Sequence, residues 1–287
     1  MPPSTIRELV RLWNKHFPRR KITLRNVTRR ASRSESGGAG NIGNLYKALR
    51  EEMRSVYKCD SEYCLVKKLP IPENSRKTML AYFRPEKPKS WDKKPTLWLD
   101  SFNIEDVMSQ YEAARPDFEF IGPVPIDFDS PAGAFGRCIV DELCKLDVAD
   151  MKRRGKTKIG IVFNLDPHDK PGSHWVCGFL DLDKSAAYYF DSYGFKPEKE
   201  IETFMSRMHS QGIKEIYYND IRHQRKGSEC GMYCLFVIIC LLRGRAFYDI
   251  CRHVVDDDTM NTFRDILFAE ERPRREAIEE GLKKVCT

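Results

Sequence analysis

Four polar residues stand where a core-forming sequence rarely places them. His174 opens an apolar run after the turn-like residues 171–173, and Asp191 ends the next β-like run. Gln224 lies in a polar stretch, and Cys230 stands between that stretch and a long apolar segment. Each alone has an ordinary explanation, such as a structural histidine, a turn-forming aspartate or a buried cysteine. Their combination, in this chain order, indicates chemistry.

These residue types together suit thiol chemistry. A cysteine is nucleophilic as its thiolate, and a helix that begins at Cys230 would stabilise that anion through unpaired N–H groups and the helix dipole. His174 would take up the thiol proton and return it to a leaving amine, while Asp191 would orient the imidazole. The backbone beside Gly231 and the Gln224 amide would form an oxyanion hole. We therefore predict a catalytic Cys230, His174 and Asp191.

Alternating and helical patterns predict the elements that must position these residues. The periodicities of 2 and 3.6 residues favour an α+β domain. Its predicted strands cover 158–165, 174–182, 186–191 and 215–219, and its helices cover 101–112, 200–209, 230–242 and 259–269. Upstream, we predict helices at 5–17 and 45–57, a flexible Ser/Gly-rich link at 32–43 and an irregular Pro-rich segment at 70–95. The chain thus divides into a mostly helical region, 1–95, and a catalytic core, 96–287.

Composition places the chain among soluble globular proteins. It has 287 residues, 41% hydrophobic and 32% charged, and no apolar run of membrane-spanning length or export signal. We therefore expect no membrane association, and the ten cysteines to be reduced thiols in a reducing compartment. Cys59 and Cys64 could form half of a zinc site, but their spacing is wide and no second pair lies nearby. We expect neither a metal nor a cofactor.

Positive charge is concentrated at the N-terminus. Residues 1–50 hold 12 Lys and Arg against 2 Glu, a net of +10, so the rest of the +7 chain carries −3. Such an arm suggests an acidic partner, nucleic acid among them. A solvated basic face explains the charge equally well.

The motifs around the four polar residues resemble those of a known clan. His174-Trp175, Asp191-Ser192, Gln224 and the run Ser-Glu-Cys-Gly at 228–231 are similar to the signature of the adenain and SUMO-type (ubiquitin-like-protein) proteases. Within that clan the chain resembles the polyprotein-processing protease of African swine fever virus, and so the maturation proteases of large DNA viruses. The likeness is strong over 158–242 and patchy elsewhere between 41 and 270.

This resemblance implies a fold, an activity and a substrate. It implies an α+β cysteine protease that cleaves after Gly-Gly, either in viral structural polyproteins during virion maturation or at the ends of ubiquitin-like modifiers. Trp175 would roof a narrow substrate tunnel and Gly231 would line it. The expected location is the host cytoplasm, at the viral factory, and the virion.

Two other functions stay open, as does self-processing. The first is a deubiquitinating or deSUMOylating isopeptidase with the same chemistry, and the second is a non-catalytic nucleic-acid-binding scaffold. Residues 37–39 read Gly-Gly-Ala, which suggests cleavage of the basic arm after Gly38 by the enzyme itself. A plain flexible linker is the favoured explanation.

Overall fold

The computed structural model describes residues 3–23, 38–59, 62–80, 84–132 and 136–268. They form two compact units, of which the first ends at Glu86 and the second begins at Lys87. Trp91, inside the sequence-based region 1–95, packs in the hydrophobic core of the second unit. The division of the chain into domains at residues 95 and 96, made from the sequence, stays a prediction.

The first unit is helical. Its helices are α1 (Pro3–His16), α2 (Gly38–Tyr57), α3 (Glu62–Lys68) and α4 (Glu73–Leu80), with a 3₁₀ turn at Pro18–Arg20. Leu9, Trp13, Leu49 and Met53 are fully buried in its core, as the helical spacing of the apolar residues requires. The predicted helices at 5–17 and 45–57 are therefore confirmed.

Two predictions for the first unit need correction. Helix α2 begins at Gly38, so 38–43 is helical rather than a flexible link, and 32–37 lies outside the described residues. The segment 70–95 is not irregular throughout, since it contains α4 and a 3₁₀ turn at Lys89–Asp92. Both stretches lack a strong apolar stripe, which is the signal that sequence patterns detect best.

A five-stranded mixed sheet forms the centre of the second unit. Its strands are β1 (Phe118–Pro125), β4 (Lys158–Asn164), β5 (Trp175–Asp181), β6 (Ala186–Phe190) and β7 (Glu215–Tyr218), in the spatial order β1-β4-β5-β6-β7. Neighbours β4, β5 and β6 are antiparallel, while β1 and β7 run parallel to β4 and β6. A separate hairpin pairs β2 (Pro131–Ala132) with β3 (Arg137–Cys138).

Helices cover both faces of this sheet. They are α5 (Ser101–Ala114), α6 (Asp141–Cys144), α7 (Val148–Arg153), α8 (Lys199–Ser210), α9 (Cys230–Leu242), α10 (Phe247–Arg252) and α11 (Asp257–Leu267). Successive side chains of β5 point to opposite faces. Cys177 and Phe179 pack in the core that contains α9, whereas Val176 and Leu180 pack in the core that contains α8. The predicted α+β fold is confirmed.

Four cysteines differ from the sequence-based expectation. Cys59 is joined to Cys64, and Cys138 to Cys144, with Cα atoms 5.6 and 6.3 Å apart. The prediction of reduced thiols is wrong for these pairs, because composition does not show which cysteines meet in space. The bond between the first pair also uses both thiols of the half zinc site. None of the helices in the described ranges is long and apolar enough to span a bilayer.

Gly160 gives a test of the packing between the sheet and α9. A Cβ atom there would lie 3.1 Å from the Phe118 ring and 3.2 Å from Ile238 Cγ2, both buried. Gly160→Ala should therefore overpack the core and lower the free energy of unfolding by about 1–3 kcal/mol, measured by urea denaturation. Gly227→Ala is the control, since a Cβ there meets nothing within 4 Å. A Gly160→Ala protein as stable as the control would contradict this account of the packing.

Candidate active site

Cys230 is the first residue of helix α9. The helix is buried on nearly every side, and Cys230 itself is 2% exposed. The preceding residue, Glu229, makes no side-chain cap to the helix. The thiol thus sits in the first turn, where helix N–H groups and the positive end of the dipole favour an anion.

His174 and Asp191 come from the ends of adjacent antiparallel strands. His174 precedes β5 and Asp191 follows β6, so the pairing of these strands places both residues at one edge of the sheet. His174 Nε2 lies 2.6 Å from Asp191 Oδ1, and the two side chains are 13% and 1% exposed. This short, shielded contact fixes the imidazole and leaves its other nitrogen for a second partner.

The second partner of the imidazole is the Cys230 thiol. Burial alone would lower the pKa of His174, but hydrogen bonds to Asp191 and Cys230, with the charges of both groups, outweigh it and raise that pKa to about 9. The imidazolium form is therefore favoured at neutral pH. Protonated His174 therefore adds to the free energy of unfolding. This contribution is fully present below the ordinary pKa of about 6.5 and is lost as the pH rises through about 9.

A tight turn holds the Asp191 carboxylate in place. Its Oδ1 also accepts from the Tyr193 N–H at 2.9 Å, and its Oδ2 accepts from the Phe195 N–H at 3.3 Å. Gly194 has a φ of +77°, and a Cβ there would lie 2.9 Å from the backbone carbon of Ile221. Glycine is thus needed in the turn that orients the carboxylate.

Gln224 lies in the loop before α9 and is fully buried. Its Oε1 accepts from Ser192 Oγ at 2.7 Å, and its Nε2 donates to the Lys226 carbonyl at 2.9 Å. Its backbone N–H donates to the Ser192 carbonyl at 2.8 Å. One of the two Nε2 protons is used in this way, which leaves the other for a ligand.

Trp175 and Gly231 meet beside Cys230. A Cβ at Gly231 would lie 3.1 Å from Leu99 Cβ and 3.3 Å from Trp175 Cδ1. Trp175 is 7% exposed, and its indole N–H donates to the Leu99 carbonyl at 3.0 Å. The structure brings these two predicted substrate-binding residues together. Their contact with a substrate stays a prediction.

Several neighbours of the site carried no sequence signal. The Tyr193 ring stacks on the His174 ring with centroids 4.8 Å apart, and the Arg222 guanidinium lies 5.3 Å from the centroid of the Tyr193 ring. His223, beside Gln224 in the sequence, is buried and lies 2.9 Å from the Cys251 carbonyl through Nε2, so it is structural. Within the described ranges, no group of three or more His, Cys, Asp or Glu side chains could hold a metal ion.

NMR titration tests the environment of His174. The imidazole should titrate near pH 9, and Asp191→Asn should lower its pKa toward the ordinary value of about 6.5, because the stabilising carboxylate charge is gone. His223 is the control within the same spectrum, since burial lowers its pKa and its Nε2 lies against the Cys251 carbonyl rather than against a carboxylate. An Asp191→Asn protein with an unchanged His174 pKa would refute the assigned cause.

Comparison with known proteins identifies the catalytic domain. Residues 156–275 match the model of the Ulp1 protease family, C-terminal catalytic domain. The putative thiol protease R355 of Acanthamoeba polyphaga mimivirus is 29% identical over 278 residues, covering 91% of this chain and 86% of that protein. A cysteine protease of African swine fever virus is 26% identical over 274 residues, covering 85% of this chain and 98% of that protein.

A solved structure supports the fold. The crystal structure of the African swine fever virus protease superposes with a TM-score of 0.61 at 23% identity, over 78% of this chain and 90% of that chain. The fold predicted from the motifs, and the resemblance to viral cysteine proteases, are therefore confirmed. The chain is a cysteine protease similar to the mimivirus and African swine fever virus enzymes, and its residues 156–275 match the catalytic domain of the Ulp1 protease family.

Proposed function

We propose that this protease cleaves after Gly-Gly in viral structural polyproteins during virion maturation, with Cys230 as nucleophile, His174 as general base and acid, and Asp191 as the residue that orients His174. The observation that carries this proposal is the buried 2.6 Å contact between His174 and Asp191, with the thiol at the start of α9 on the other side of the imidazole. The relatives named as thiol and cysteine proteases support the same chemistry.

The proposed reaction has two steps. In the first, the Cys230 thiolate attacks the scissile carbonyl carbon, His174 gives its proton to the leaving amine, and a thioester forms as the peptide C–N bond breaks. In the second, His174 takes a proton from water as the oxygen of that water adds to the thioester carbonyl. The C–S bond then breaks, which regenerates the Cys230 thiolate and releases the acid product. The raised pKa of His174 suits the first step, because a protonated imidazole is present at neutral pH.

Gln224 and the first backbone N–H groups of α9 would stabilise the oxyanion in both steps. The Gln224 amide is buried and fixed at both ends, so little reorganisation accompanies the reaction. A donor that is already oriented stabilises the transition state more than the bound substrate. Gln224 therefore belongs to the proposed machinery through its side chain.

The Gly-Gly preference rests on the crowding beside Cys230. Trp175 and Leu99 occupy the space that a side chain at Gly231 would need, since a Cβ atom there would lie 3.1 Å from Leu99 Cβ and 3.3 Å from Trp175 Cδ1. A substrate backbone that passes this wall would be accepted most easily without Cβ atoms. The surface formed by Trp175, Leu99 and Gly231 would also exclude substrates with larger residues next to the scissile bond.

Removal of a ubiquitin-like modifier is the second candidate function. One African swine fever virus relative, 26% identical over 274 residues, bears the name SUMO-1 cysteine protease. The residues and the chemistry would be the same, and only the substrate would differ. Modifier-based suicide probes separate the two candidates, because a polyprotein protease would leave them intact.

The location of the protease and the binding of nucleic acid by its basic arm are further proposals. The host cytoplasm, at the viral factory, and the virion are where a maturation protease would meet its substrate. Of the 12 Lys and Arg in the basic segment 1–50 that would hold nucleic acid, four fall in 24–37, outside the described residues, and eight lie in described parts of the first unit. Gly37 of the self-cleavage hypothesis also lies outside the described residues, and Gly38 begins helix α2. A purely scaffolding function is disfavoured by the assembled Cys230, His174 and Asp191.

Peptide cleavage tests the assigned nucleophile and base. Wild type should cut Gly-Gly-Xaa peptides after the second glycine, as read by mass spectrometry, and Cys230→Ala or His174→Ala should abolish the cut. Asp191→Ala should retain more activity, because its role is orientation. Cys251→Ala is the matched control, since burial raises the pKa of that thiol to about 12 and keeps it unreactive.

The substrate panel separates the candidates. Peptides with Ala in place of either glycine should be cut poorly, and a ubiquitin-like fusion cut in preference to the peptides would favour the isopeptidase. Full activity in Cys230→Ala would refute the site. Salt-sensitive DNA binding without any peptide turnover would favour the scaffold.

Gln224 has its own kinetic signature. Gln224→Ala should lower kcat by roughly 100-fold with little change in KM, because the lost donor acts on the transition state. Steady-state kinetics with one Gly-Gly peptide gives both constants. A large rise in KM at constant kcat would instead assign Gln224 to substrate binding.

A further inference from the structure

A carboxylate outside the catalytic set holds the loop that carries Gln224. Asp257, the first residue of α11, is 4% exposed. Its Oδ2 accepts from the backbone N–H of Arg225 at 2.9 Å and of Lys226 at 2.8 Å. Its Oδ1 accepts from Tyr233 Oη at 3.1 Å. One buried side chain thus fixes two consecutive peptide groups just after Gln224.

The residue Lys226 is the junction between Asp257 and the site, through the two peptide groups that meet at its Cα atom. Its N–H donates to Asp257, and its carbonyl accepts from Gln224 Nε2 at 2.9 Å and from Tyr193 Oη at 3.2 Å. Tyr193 is the ring stacked on His174. A displacement of the Lys226 backbone would therefore release the Gln224 amide from one of its two anchors.

Asp257 is not needed as a helix cap. Asp256 fills that role, since its Oδ1 accepts from the N–H groups of Asp258 at 3.0 Å and Thr259 at 2.9 Å. The neighbouring acid, Asp258, is exposed and pairs with the Lys226 ammonium rather than with its backbone. Of these three consecutive acidic residues, Asp257 is the one whose carboxylate accepts hydrogen bonds from the backbone of the Gln224 loop.

Tyr233 holds the other oxygen of Asp257 from within α9. Burial and the Asp257 charge raise the pKa of Tyr233, so its hydroxyl stays protonated and can donate. Its Oη also lies 2.7 Å from the Val255 carbonyl. The nucleophile helix and the Gln224 loop are therefore tied to the same carboxylate.

We propose that Asp257 is a positioning residue for the oxyanion hole: through the backbone of Lys226 it holds the Gln224 amide in its productive orientation. This inference rests on the proposed role of Gln224 in catalysis. Asp257 does not touch the reacting atoms, and its effect is transmitted by two hydrogen bonds in series. A displacement of about 1 Å at a group of this kind is enough to slow a reaction substantially.

Kinetics of Asp257 variants test the proposal. Asp257→Ala should lower kcat on a Gly-Gly peptide by roughly 10- to 100-fold, with KM nearly unchanged. Asp257→Asn should restore most of the rate, because an amide oxygen can accept both backbone N–H groups while its NH₂ faces Tyr233 Oη. Asp258→Ala is the matched control and should leave kcat unchanged. Inactivation by iodoacetamide, which needs the thiolate but no oxyanion hole, should proceed at the wild-type rate in every variant.

A double-mutant cycle separates positioning from general damage. In a Gln224→Ala background, Asp257→Ala should cost little further activity, because the group that it positions is already absent. Independent, multiplicative effects would overturn the proposal, as would an unchanged kcat or a parallel loss of alkylation. If Asp257→Ala does not fold, Tyr233→Phe takes its place, with a smaller fall in kcat that also disappears without Gln224. A fast wild type, a slow Gln224→Ala and a fast Asp257→Ala would refute this inference alone and leave the proposed function intact.

Discussion

The contact between His174 and Asp191 depends on a carboxylate that is almost wholly removed from water. A buried anion is tolerated only where donors surround it. Asp191 has three, namely the imidazole and the N–H groups of Tyr193 and Phe195. The 191–194 turn is thus shaped around the charge, and the charge in turn fixes the imidazole. Structural and chemical roles are combined in one side chain, so neither can change without the other.

The mixed sheet makes this arrangement possible. The antiparallel partners β5 and β6 bring His174 and Asp191 to one edge, and α9, packed across β5, brings Cys230 to the same edge from the face of the sheet. The polar loop with Gln224 then closes the site along the turn after β6, through the Ser192 carbonyl. The turn after β6 and the loop before α9 therefore set the distances between groups that are far apart in the sequence. The sheet and the helices packed on it keep these two connections rigid.

Sequence patterns predicted strong elements well and spatial contacts poorly. Helix α9 was predictable to the residue because its apolar run is uninterrupted. Strand β1 was not predicted, since Gly122 and Pro123 interrupt its pattern. The grouping of His174 with Cys230 followed from residue types and motif order, whereas Asp257 is 31 residues from its partner Lys226 and gave no local signal. The disulfide between Cys138 and Cys144, only six residues apart, was missed for another reason, because the composition led us to expect reduced thiols.

Among the helices described in the second unit, α9 is the most buried, and it begins with Cys230, the proposed nucleophile. Segments that open most easily are those with few buried contacts, and α9 is their opposite. Detachment of Cys230 from its partners would thus require disruption of the whole core. The enzyme has little access to partly inactive, locally frayed forms, and its loss of activity in denaturant should coincide with global unfolding.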